Sequence, residues 1–74
     1  MVTFSFLQPV GTNFTPATKI CEFARKHHLK TSYRYDQLIL HYSGSVNTVY
    51  HHYEINPVGD GTEKVTIYME DIKQ

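Results

Sequence analysis

Five histidines stand among the 74 residues, as His27-His28, His41 and His51-His52. Imidazole is the side chain suited to moving protons near neutral pH, and it is a frequent metal ligand. Three of the five fall in one stretch, YRYDQLILHYSGSVNTVYHHYEI, from Tyr33 to Ile55. On an extended strand, residues two apart share a face. His52 and Glu54 therefore sit side by side and could serve as base and acid, as in a small histidine-dependent ribonuclease. That spacing is common by chance, however, and two or three polar groups on an open sheet do not make a pocket.

Metal chemistry is weaker still. His41, His52 and Glu54 supply zinc-type donors, but no H-x3-H or C-x2-C spacing accompanies them. His51 and His52 are adjacent, so on a regular strand they point to opposite faces and cannot share an ion. Cys21 lies on an apolar helical stripe and reads as a small core residue rather than a nucleophile. Gly59-Asp60-Gly61 reads as a turn, because it lacks the helix and Lys-Ser/Thr that a phosphate loop needs. The expectation is no enzyme, no metal and no cofactor. Histidines held neutral at an interface would still make association weaken below about pH 6.

The elements that position these residues follow from periodicity. Val2–Gln8 alternates as a strand, with Phe4 and Phe6 on one face, and Pro9 ends it. Thr15-Pro16 marks a helix start, with a hydroxyl at the N-cap and proline in the first turn. Ala17, Ile20, Cys21, Ala24 and His28 then recur at helical spacing, and Glu22-Lys26 is a favourable i, i+4 pair. No glycine closes this helix near His28–Lys30. From Thr31 the period is two. Tyr33, Tyr35 and Leu38–Tyr42 read as one strand, kinked at Asp36-Gln37, and Gly44-Ser45 reads as a hairpin turn. That turn sets Leu40 against Val49 and Ile39 against Tyr50. Asn56–Thr62 reads as a loop, because Pro57, Gly59 and Gly61 do not suit a central strand. Lys64–Asp71 is the last strand.

The order is β-α-β-β-β, an α+β fold in which one helix packs on one face of a four-stranded, mostly antiparallel sheet. Leu38, Leu40, Val49, His51, Tyr53 and Ile55 are assigned to the helix side. Ile39, His41, Tyr50, His52 and Glu54, with Tyr68 on the last strand, are assigned to the uncovered side. A monomer has little reason to show such large side chains to water. Ile39, His41, Tyr50, His52 and Tyr68 are therefore the candidate partner-binding residues.

Length allows one domain, residues 1–74, which is marginally stable on its own and would gain from self-association. A single cysteine excludes an internal disulfide, and no apolar run reaches membrane length. The expectation is cytoplasmic, with no membrane contact. Net charge is zero, which argues against a strong nucleic-acid binder. Residues 1–18 carry no charge, the basic side chains gather at 19–34, and the acidic ones gather at 54–74. Single-stranded nucleic acid stacking on Tyr and His is the alternative, but the acidic hairpin opposes it. The sequence therefore reads as a small protein-interaction module, an inhibitor or adaptor of bacterial or phage type. It would bind a protein partner or itself as a homodimer.

Overall fold

The computed structural model describes residues 2–43 and 46–72. The elements are β1 (Val2–Pro9), α1 (Pro16–Lys26), β2 (Lys30–Arg34), β3 (Gln37–Ser43), β4 (Val46–Gly59) and β5 (Thr62–Ile72). They form one sheet in the order β1-β5-β4-β3-β2, with every neighbouring pair antiparallel. β2 to β5 run as a meander. β1 closes the far side, and α1 carries the chain from one edge to the other across one face. The α+β class is as expected; the sheet has five strands where the sequence predicts four.

The fifth strand comes from residues 30–43. The sequence reading makes one kinked strand of them, but they turn back on themselves at Tyr35-Asp36, so that Arg34 pairs with Gln37. Tyr35 takes a left-handed φ of 51° there, without the glycine or asparagine that would advertise such a turn. The expected loop at 56–62 is shorter than read. β4 continues through Pro57 to Gly59, and only Asp60 and Gly61 turn, both at positive φ. Pro57 is tolerated because β3 pairs with β4 only at residues 46–49, which leaves this end of β4 with one neighbour. The Gly44-Ser45 turn lies outside the described residues.

The helix core is Ile20 and Ala24, packed on Leu38 and Leu40 of β3 and Val65, Ile67 and Met69 of β5. Phe4 stacks on Phe23 with ring centroids 4.4 Å apart, and Phe14 closes the far end against Phe6 and Tyr53. Pro16 stands in the first turn as expected, but the Thr15 side chain makes no capping hydrogen bond. The helix stops at Lys26. His28 then takes the left-handed conformation (φ 58°) usually given to glycine. The Leu29 N–H donates to the Ala24 carbonyl at 2.8 Å and the His28 N–H to the Arg25 carbonyl at 3.3 Å, the pair of bonds that defines a Schellman cap. Leu29 joins the core beyond it. At the other end of the sheet, the Gln8 amide donates to the buried Glu63 carboxylate (2.6 Å) and to the Thr12 carbonyl (3.1 Å). Those bonds hold the 10–15 loop to the β4–β5 turn. An eleven-residue helix is about 16 Å long, against a molecule 42 Å in its longest dimension. Ile55 and Val58 are therefore left partly exposed beyond it.

Candidate functional site

Two bulges decide which side chains reach the uncovered face. Ser43 pairs with Val46, as the expected turn requires, but His41 then pairs with Asn47, which leaves Tyr42 as an extra residue in β3. The register moves by one, so Ile39 opposes Val49 and Leu40 opposes Thr48. A second extra residue, His51, lies in β4 between the Tyr50–Met69 and His52–Tyr68 pairs. Paired residues of an antiparallel ladder share a face. Val49 therefore belongs with Ile39 on the uncovered side, and Tyr50 belongs with Met69 on the helix side. Beyond His51 the phase returns, and Tyr53 and Ile55 face the helix side opposite Ile67 and Val65.

Tyr50 is thus a correction. It lines a groove with Pro16, Ala17, Ile20, Tyr33 and Leu38, on the side opposite the other candidates. Burial there, helped by Tyr53, pushes its hydroxyl above the ordinary tyrosine value. Ile39 is on the uncovered face as expected, but it is only 8% exposed and cannot supply contact area. Its row holds Ser32 on one side and Val49 on the other. His41 is half-buried, and its Nε2 shares a hydrogen bond with the Ser32 hydroxyl at 2.8 Å. The His41 row ends at Ile72, four residues along β5 from Tyr68 and so about 13 Å away.

His52 and Tyr68 do come together. Their rings stack with centroids 4.4 Å apart and planes 3° from parallel. The Tyr68 hydroxyl donates to Glu54 Oε1 at 3.0 Å, and His52 Nε2 lies 3.8 Å from Glu54 Oε2. That hydrogen bond, then partial burial and the carboxylate charge, raise the Tyr68 pKa. Glu54 is the residue that holds the pair: it reaches both rings from the same face of β4.

Strict alternation predicts His51 on the helix side, away from His52. The bulge removes the alternation on which that reading rested. The two Nδ1 atoms are 2.6 Å apart, with the rings edge to face. One nitrogen must donate and the other accept, so the contact accommodates one proton and is lost if both rings are charged. A row of imidazole, imidazole, carboxylate and phenol results, open to solvent throughout. It can pass a proton along, but no walls surround it to hold a substrate. Among the described residues, no group of three or more histidine, cysteine or acidic side chains is placed to hold a metal ion. Among the described residues no helix is long and apolar enough to cross a membrane.

Glu54 at two residues from His52 was legible in the sequence. The contact of His51 with His52 was not, because a bulge has no composition signal there. No protein-family model matches the chain, and comparison with curated proteins and with solved structures finds no match.

Proposed function

We propose that this chain is a small protein-interaction module, an inhibitor or adaptor working in the cytoplasm, that docks a protein partner through the uncovered face of its sheet. The observation that carries the reading is the His52–Tyr68 stack held by Glu54. Rings already stacked and hydrogen-bonded lose little freedom on binding, and tyrosine supplies apolar area with a polar tip. The patch is smaller than the sequence suggested: it is built on His52, Glu54 and Tyr68, without Tyr50 and with His41 well apart from it. Nucleic acid fits this face less well, since Glu54 and Glu70 would meet the phosphates.

The test is capture from lysate of the source cell on tagged wild-type chain and on a His52→Ala/Tyr68→Ala double variant, with and without nuclease. A stoichiometric protein that survives nuclease and is lost with the double variant supports the reading. Equal capture by both chains, with the variant still folded, sinks it. A partner that disappears with nuclease transfers the face to nucleic acid.

A further inference from the structure

We propose that β1 is a self-association edge, along which two copies of the chain pair antiparallel about a two-fold axis at Ser5. The surface lies at the rim of the sheet, so the inference does not depend on the reading of its uncovered face.

Among the described residues β1 has one neighbour. All eight residues pair with β5 in unbroken register, from Val2 opposite Met69 to Pro9 opposite Thr62. The phase of that ladder is set by one bond beyond its end, where the Val10 N–H donates to the Gly61 carbonyl at 2.9 Å. Hydrogen-bonded and non-bonded pairs alternate along an antiparallel ladder. Val2, Phe4, Phe6 and Gln8 therefore bond to β5, while the N–H and C=O groups of Thr3, Ser5 and Leu7 point outward. Pro9 falls in the outward set, where its missing N–H costs no ladder bond.

Outer strands normally carry protection against further pairing: inward charges, lysines, bulges or a cover. β1 has no charged residue and no bulge, and only Pro9 at its end. Its pattern is also symmetric about Ser5. An antiparallel copy centred there sets Phe4 against Phe6 of the second copy, Thr3 against Leu7, and Ser5 against Ser5. All three outward pairs then exchange both main-chain bonds. Leu7, which is 65% exposed in the single chain, gains a neighbour.

The space beside the strand fits the same occupant. A groove of about 260 Å³ runs between β1 and α1, floored by Phe4, Phe6 and Phe23 and rimmed by Lys19, Glu22 and Lys26. The two-fold axis turns two such grooves toward each other. The rim carries both signs, with Lys19 Nζ 3.7 Å from Glu22 Oε2 and 4.7 Å over the Phe6 ring, so the two rims meet as already balanced charges, and the uncharged strands bring no repulsion between them. The area enclosed is on the order of 1,000 Å², at the low end for specific interfaces. The dimer is therefore weak, and its population follows chain concentration.

The test is sedimentation velocity from low micromolar to near-millimolar chain, with Ser5→Lys and Ser5→Glu as variants. Ser5 is exposed and its hydroxyl shares a hydrogen bond with the half-buried Thr66 on the solvent side of the sheet, so both variants should keep the wild-type melting profile. Each variant sets two like charges directly opposite at the axis of the interface and should weaken the dimer at least tenfold. An equimolar mixture of the two should recover association to within a few-fold of wild type, because the facing charges are then opposite. Amide exchange adds a second reading: Thr3, Ser5 and Leu7 should gain protection with concentration, in alternation with their neighbours. A wild-type chain that stays monomeric throughout, or a dimer indifferent to both variants, overturns the proposal. So does protection of those amides that appears only when a different peptide is added, which would give the edge to another protein.

Discussion

Replacing Tyr50 by alanine tests the bulge at His51 directly. If β4 ran without a bulge, Tyr50 would stand on the uncovered face, and its loss would change stability by about 0.5 kcal/mol or less, as for most surface substitutions. In the structure it is 37% exposed and packs beside Pro16, Ala17 and Ile20. A tyrosine can bury about 150–250 Å², so almost two thirds burial removes on the order of 130 Å² from water. At about 25 cal/mol per Å² that corresponds to about 3 kcal/mol as an upper bound. A realistic unfolded chain and the Cβ that alanine keeps bring the expected loss to about 2 kcal/mol. A chain of 74 residues holds about 4–11 kcal/mol in total, so the change is large enough to measure and small enough to leave a folded variant. Urea unfolding followed by circular dichroism is the assay. With a slope of about 1 kcal/mol per M, the midpoint should fall by about 2 M while the slope stays constant. Tyr68→Phe, which removes only an exposed hydroxyl, is the control and should hardly move it. A Tyr50→Ala midpoint within about 0.5 M of wild type would refute the reasoning, because it would return Tyr50 to solvent and erase the face assignments around it.

Two further outcomes follow from particular residues. His28→Gly should stabilise the chain by about 0.5–1 kcal/mol, since a left-handed cap strains any residue with a Cβ; unfolding at a lower urea concentration than wild type would show that the His28 side chain contributes more than its backbone costs. Tyr68 should titrate above the ordinary tyrosine value of 10.0, chiefly because its hydroxyl donates to Glu54. A raised folded pKa favours the protonated state, so the contribution is fully present below pH 10 and fades as pH rises through the higher folded value. NMR titration of Glu54→Gln should bring Tyr68 back toward 10, and an unmoved curve would mean that the carboxylate is not the cause.

The chain's local chemistry was readable wherever one residue type has one structural use. Pro16 opens the helix, the spacing of Ile20 and Ala24 aims it, and the alternation of Val65, Ile67 and Met69 builds β5, whose inner face lies under it. Those choices rest on neighbours within a few residues, and they determined the α+β class and most of the core. The side-by-side placement of His52 and Glu54 was legible for the same reason. Three things were not legible in this way. The left-handed Tyr35 divides a presumed single strand into two, although its residue type gives no turn signal. The extra residues Tyr42 and His51 shift the phase of a period-two pattern, and one slipped residue exchanges the faces of every side chain until the next bulge. That is why Tyr50 left the uncovered face, and why His51 met His52. The third is pairing across the whole chain: β1 found β5, 53 to 67 residues away along the sequence, and so became an edge. Its chargeless composition was visible from the start, but only the sheet order gave that composition a free rim to act on.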